Sequence, residues 1–485
     1  MERGKNFVGG EWKPSVSSVT FQDVNPADIR DVIGEFPDSV RDDAKEAIDA
    51  AKDALKKWED LPAPQRGRIL LKASYILERE KEDLVTLLTR EEGKTIAESE
   101  LEVVRAIEIL RFFAGLSYRL KGETIPSAFQ NTLIFTIREP MGVASIITPW
   151  NFPIAIPAWK IAPALITGNT VVFKPSPLTP LIAQRLVEAF EKAGIPKGVL
   201  NLVHGDVEVG REMVTNKNVD VVSFTGSYET GNEIRRNCVK VDKMIRYQLE
   251  MGGKNPLIVM ADADIGRAVE IAVKGAFGLT GQACTATSRI LVEEGIYDVF
   301  LRRFIEATSK IRVGNSLKDR DVDMGPAVSR QQLEKDLRYI EIGKEEGAKL
   351  MLGGRRIEEG ELKYGFFIQP TIFTEVSRDM RIAKDEIFGP IVCIMRFEGI
   401  EEAIDIANSV DYGLTAGICT TNLRNVMKFI REIEVGVVKV NQPTIGLELQ
   451  VPFGGYKKSS SATFKEQGEI AIEIFTKIKS VYISG

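Results

Sequence analysis

The chain has 485 residues, too many for one ordinary core, so its length calls for two or three domains. With 44% hydrophobic and 27% charged residues, a mean hydropathy of -0.07 and a net charge of -5, it reads as a globular enzyme and not as a polyanion binder. No apolar run reaches the roughly 18 residues of a membrane span, and "MERGKNFVGGEWKP" lacks an apolar leader, so a cytoplasmic protein without membrane or nucleic-acid partners is expected.

Residues 40–120 carry helical periodicity. "AKEAIDAAKDALKKW" and the continuous stretch "RGRILLKASYILEREKEDLVTLLTREEG" place apolar residues at i, i+3, i+4 and i+7 around the turn-like "EDLPAPQ". A third amphipathic stretch, "AESELEVVRAIEILRFFAGLSYRL", follows Gly93. From about residue 142 the rhythm changes: "VASIIT", "TVVFKP", "GVLNLV" and "VDVVSFTG" alternate with helical segments. Their unbroken hydrophobicity implies strands buried on both faces, hence a parallel sheet between helix layers. A second such series begins near Asn255 with "PLIVM", "RILVEE", "IVCIMRF", "LTAGICT" and "VGVVKV". "NTLIFTIREP" and the terminal "SVYIS" fit neither series and read as strands pairing elsewhere, an edge suited to subunit association. The fold class is therefore α/β, with two doubly wound parallel-sheet domains and a small β element for oligomerisation.

Four scattered cysteines (Cys238, Cys284, Cys393 and Cys419) and one histidine, His204, offer neither a metal site nor a disulfide framework. His204, in "VLNLVHGD", reads as a strand-end residue, so a general base must be a carboxylate, lysine or tyrosine. In "SFTGSYETGNEIRR" the glycines Gly226 and Gly231 open a helix after a strand. That geometry suits a phosphate at the helix N-terminus, and it equally describes a tight strand-to-helix turn. Lys174 ends the strand of "TVVFKPSP", where open α/β sheets bind ligands; it is either a ribose or phosphate contact or a solvated charge. "GLTGQACTATSR" holds Cys284 among small residues at a helix-to-strand joint, with room for a substrate to reach the sulfur.

"TPWNFP", "FKPS", "FTGSYETG", "LEMGGKNP", "GQACTATSR", "EIFGPI" and "PFGGYKKSS" occur in that order, and together they resemble the NAD(P)-dependent aldehyde dehydrogenase superfamily. The resemblance implies Cys284 as nucleophile, Asn151 as oxyanion donor, Glu250 as general base and Lys160 of "AWKIAP" as a further active-site group, either proton relay or salt bridge. It implies cofactor contacts from Ile147, Thr148, Pro149 and Trp150, and from Lys174, Ser176 and Pro177. Gly205, Gly210, Phe224, Thr225, Gly226, Ser227 and Gly231 would follow around the phosphates. Glu250, Met251 and Gly252 would line the nicotinamide side, with Glu386 and Phe388 of "EIFGP" holding its ribose and ring. The domains implied are 1–118 with 142–250 for NAD(P), 251–460 for catalysis, and 119–141 with 461–485 for assembly into a dimer or tetramer.

Aldehyde oxidation by hydride loss needs a tetrahedral adduct, and thiolate is the side chain best suited to form it. A carboxylate of raised pKa would then activate water against the thioester. Pro177 stands where NAD-preferring members commonly carry a glutamate that repels a 2′-phosphate, so NADP use at least equal to NAD is expected. The tail and "NQPTIGLELQVPFGG" are similar to the subgroup oxidising 2,5-dioxovalerate (2-oxoglutarate semialdehyde). Glyceraldehyde and succinate semialdehyde stay open as substrates. A CoA-acylating enzyme would not need Glu250 as water activator, and a non-catalytic scaffold would not need Cys284. No arginine for a substrate carboxylate is identifiable; Arg289, near the cysteine in sequence, is expected to pair within the protein.

Overall fold

The computed structural model describes residues 1–485. Its first seven-stranded sheet runs Arg246–Glu250, Val221–Thr225, Val143–Ile147, Thr170–Lys174, Leu200–Leu202, Asn6–Val8 and Glu11–Lys13. The first five strands are mutually parallel; 6–8 runs antiparallel to 200–202, and 11–13 antiparallel to 6–8. Strands 143–147 and 221–225 are buried throughout, as their unbroken apolar sequence requires. From 143–147 the chain first builds outward through 170–174 and 200–202, then returns to 221–225 on the other side. The order reverses there, and this is the point where open α/β sheets form a ligand crevice beyond their carboxyl ends.

The second sheet runs Lys349–Leu352, Thr371–Thr374, Ile391–Phe397, Thr287–Glu293, Asn255–Val259, Thr415–Cys419 and Val437–Val440. Only its first strand is antiparallel to its neighbour. The chain passes from Glu250, at a carboxyl end of the first sheet, to Asn255, at an amino end of the second, through Met251–Lys254 alone. This short bridge faces the carboxyl ends of one sheet toward the amino ends of the other.

Two sequence readings are corrected, and one stretch that the pattern left unassigned takes form. The stretch 66–93 is two helices, Ala63–Arg79 and Lys81–Glu92, parted where Glu80 leaves helical geometry (φ -97°, ψ 11°). The bend turns Leu77 and Leu84 into the same core. Residues 1–39, unassigned by pattern, form five strands of two to six residues, too short to show a period. The terminal strand is Thr476–Ser484, pairing along its whole length with Thr132–Pro140. Residues 461–475 do not join it: Ala471, Ile472, Ile474 and Phe475 enter the core beneath the helix Ala155–Ile166.

Candidate active site

The loop bearing Cys284 is fixed from three sides. Asn255 Nδ2 donates to the carbonyls of Cys284 (2.7 Å) and Ala286 (2.8 Å), while its Oδ1 accepts from Thr415 N–H. Gln282 bridges Val328 N–H and Pro326 O. Glu98, which also closes the capping box of helix Ile96–Leu116 with Thr95, accepts the Leu279 N–H. Leu279 and Thr280 both sit at φ 56°. That backbone is uncommon outside glycine and persists only where such clamps hold it.

Cys284 is half-buried, and its N–H donates to no carbonyl of another residue. Asn151, just beyond strand 143–147, donates from Nδ2 to the Gln282 carbonyl (3.0 Å), leaving its second amide hydrogen free. Lys94 fixes Asn151 from behind, donating to its carbonyl and to Glu102, whose carboxylate accepts the N–H groups of Ile154 and Ala155. Burial, then the charges of Glu386, Glu250 and Glu466, push the Cys284 thiol well above its ordinary range.

Glu250 ends strand 246–250, fully buried. It accepts from Ser460 Oγ (2.9 Å), Gly455 N–H (3.0 Å) and Gln248 Nε2 (3.4 Å). Burial dominates its environment and raises its pKa to about 8, aided by the Glu466 charge and opposed by the two closer hydrogen bonds. Lys160, in helix 155–166, forms a buried ion pair with Glu466 and donates to Ser223 Oγ (3.0 Å) and Gln248 Oε1 (3.4 Å). Gln248 therefore links Glu250 to the Lys160–Glu466 pair. Of the two sequence alternatives for Lys160 the structure shows the salt bridge, and it connects the residue to Glu250 through the Gln248 amide.

The expected cofactor residues collect at the carboxyl ends of five adjacent strands. Ile147, Thr148, Pro149 and Trp150 follow one, and Lys174, Ser176 and Pro177 the next. Gly205 and Gly210 come after the third, while Phe224, Thr225, Gly226, Ser227 and Gly231 follow the fourth. Glu250, Met251 and Gly252 complete the row. The hydroxyls of Thr148 and Thr225 are buried without partners. Lys174 is buried and donates only to the Pro175 carbonyl (3.1 Å); burial lowers its pKa to about 8, with Asp206 and Asp38 opposing. Ser227 Oγ caps the helix Tyr228–Lys240. Unpaired donors beside a helix N-terminus suit the phosphates and ribose of a dinucleotide.

The two glycines let the strand-to-helix turn pack tightly. A Cβ at Gly226 would collide with the Phe224 ring, and one at Gly231 would lie 2.5 Å from Met251 Sδ. Their smallness packs the turn against the protein itself. From the second sheet, Glu386 accepts the Gly253 N–H (2.8 Å), and any side chain at Gly252 would strike its carboxylate. Phe388, at φ 67°, stands edge-on to Trp150 with ring centroids 5.4 Å apart. Thus both sheets contribute to one crevice.

The sequence pattern of the aldehyde dehydrogenase family matches residues 12–481. The chain belongs to that family. It is 49% identical over 467 residues to the 2,5-dioxopentanoate dehydrogenase of Saccharolobus solfataricus, covering 96% of each chain. It is 46% identical over 479 residues to the alpha-ketoglutaric semialdehyde dehydrogenase of Bacillus subtilis, covering 99% of this chain and 97% of that one. Among solved structures, betaine aldehyde dehydrogenase from Staphylococcus aureus in complex with NAD+ aligns with a TM-score of 0.95 at 37% identity, over 99% of this chain and 94% of that one. The 3,6-anhydro-L-galactose dehydrogenase in complex with NADP aligns at 0.96 and 35%, over the whole of both chains. This aldehyde dehydrogenase is an NAD(P)-dependent oxidoreductase with the α/β fold of its family.

Residues missed from sequence are those that hold the others: Lys94, Glu102, Asn255, Gln248 and Glu466. Their one signal was polarity at positions that the apolar pattern marks as buried, as with Glu102 inside helix 96–116. Arg289 is buried, donating to the carbonyls of Lys254, Ile406 and Ala407, a structural role. His204 is buried with neither ring nitrogen paired and rests edge-on against Phe36.

Proposed function

We propose that this aldehyde dehydrogenase oxidises a carboxylated semialdehyde, 2,5-dioxopentanoate first among them, with NADP at least as readily as NAD. Cys284 gives up its thiol proton to solvent and attacks the aldehyde carbon as the thiolate, its own N–H with the free amide hydrogen of Asn151 stabilises the oxyanion, and hydride loss from this adduct leaves a thioester. Removing one such donor costs roughly 3–4 kcal/mol in well-studied enzymes. A bound dinucleotide would supply the hydride acceptor, and Glu386, Phe388 and Trp150 would hold its nicotinamide end. Glu250 then takes a proton from water as that water attacks the thioester, releasing the carboxylic acid and the Cys284 thiolate, while the Gln248 amide, itself held by Lys160, keeps the Glu250 carboxylate in place.

The observation that carries this reading is the buried Glu250 carboxyl, raised to a pKa of about 8 and held by Ser460, Gly455 and Gln248. It favours hydrolysis over transfer to CoA. The relatives named for 2,5-dioxopentanoate and alpha-ketoglutaric semialdehyde support the substrate class. The four free thiols suit the cytoplasm, and the exposed strand pair 132–140 with 476–484 supports a homodimer or homotetramer. A panel of aldehydes assayed with NADP and NAD, with and without CoA, tests the proposal. It expects the highest kcat/KM for 2,5-dioxopentanoate, ahead of succinate semialdehyde and glyceraldehyde, and no CoA requirement; acyl-CoA as product would refute it.

A further inference from the structure

Arg105 lies on helix 96–116, half-buried, with its guanidinium 5.8 Å over the ring of Trp159. It makes no ion pair. Its bonds go to neutral acceptors, the Leu447 carbonyl and Gln467 Oε1 (2.7 Å). The nearest carboxylates are committed or open to solvent: Glu102 serves Lys94 and two backbone N–H groups, and Glu448 is exposed. Gln467 is 1% exposed, and its Nε2 has no acceptor at all. A cation with spare N–H groups therefore stands beside an orphaned buried amide donor. Uncompensated groups of this kind are costly, and a carboxylate would satisfy both.

Two lines of contact tie this pair to the neighbourhood of Cys284 and to Glu250. Thr287, three residues past Cys284, hydrogen-bonds Thr444 (2.8 Å). Ile445 lies 3.2 Å from where a Cβ on Gly278 would be, and Leu447 carries the carbonyl that receives Arg105. From 444 to 447 the chain reaches at most about 11 Å, comparable to a five-carbon chain with a hydrogen bond at its far end. On the other wall, Trp159 packs 6.4 Å from Phe453, which leads into Gly455 and its bond to Glu250.

We propose that Arg105 and the Gln467 amide bind the carboxylate of the substrate at the end remote from the aldehyde, and so set the preference for semialdehyde acids. This rests on the substrate class proposed above and supplies the anchor that the sequence alone did not reveal. Charge-assisted bonds from a guanidinium outweigh neutral ones, so the effect should fall on KM for acids.

The test compares kcat/KM for 2,5-dioxopentanoate with that for pentanal in R105M, R105K and Q467E. The acid-to-pentanal ratio should fall at least tenfold in R105M and recover in part in R105K. Gln467→Glu keeps the arginine packed but gives it a fixed counter-ion, and should lower the ratio as R105M does, through KM for the acid. A ratio within twofold of the parent in Q467E, or in an R105M protein that still oxidises pentanal, would overturn the assignment while leaving the substrate class standing. A parent enzyme with no preference for the acid would overturn both.

Discussion

Replacing Glu250 with glutamine separates the two halves of the reaction. Thiohemiacetal formation and hydride loss need Cys284 and Asn151, whereas thioester hydrolysis needs a base. E250Q should therefore keep a stoichiometric burst of reduced cofactor while steady-state turnover falls about 10²-fold or more; loss of the burst would move Glu250 into the first half. The raised carboxyl also fixes the sign of the pH response. Below about 8 Glu250 is increasingly protonated and cannot accept a proton, so hydrolysis-limited kcat climbs with pH toward that value and levels above it. Glu466 contributes to the upward shift, so Glu466→Gln should move this limb to lower pH, read from kcat profiles of the two proteins. The buried Lys160–Glu466 pair carries a stability prediction as well. Lys160→Met leaves a buried carboxylate unpaired and should cost about 3–5 kcal/mol, while K160M/E466L should cost less than the single variant; urea unfolding of both distinguishes them.

At the scale of elements, the cysteine loop depends on Asn255. Asn255→Ala removes the donor for two buried carbonyls, an expected loss of about 1–3 kcal/mol. Its distinguishing sign should be slower alkylation of Cys284 or slower burst kinetics, beyond a lower melting temperature. The loop after strand 170–174 governs the cofactor. Pro177→Glu brings a carboxylate beside the buried Lys174 and should weaken NADP binding selectively, with NAD little changed; unchanged NADP constants would remove position 177 from the cofactor contacts. The alternation of buried strands and amphipathic helices made both parallel sheets legible, because burial on two faces leaves an unbroken apolar run such as "TVVFK". The break at Glu80 was not legible, since both helices keep one periodicity across it. Nor were the short strands before residue 40, one of which takes its place only by pairing with a distant strand, as Phe7 does with Leu202. Cys284, Asn151 and Glu250 stood out as candidates through their motifs. Glu466 and Asn255 did not, because their roles exist only once segments hundreds of residues apart meet.

At the scale of the whole molecule, the strand pair Thr132–Pro140 and Thr476–Ser484 presents a surface that the chain leaves uncovered. The register sets Leu133 opposite Ile483, Phe135 opposite Val481 and Ile137 opposite Lys479. Leu133, Phe135, Ile137, Val481 and Ile483 thus share one face, and Leu133 and Ile483 are each about half exposed. A continuous apolar sheet face of that kind marks an association surface more often than a solvated one. Pairing between copies would bury it without disturbing the crevice, which lies between the two seven-stranded sheets. The wild-type enzyme should therefore sediment at two or four times its 53.8 kDa chain mass. Leu133→Lys with Ile483→Lys should reduce that mass at the same concentration while the circular dichroism spectrum stays native. A wild type that sediments as one chain at micromolar concentration, or a double variant that keeps the parent mass, would show that this face associates with nothing.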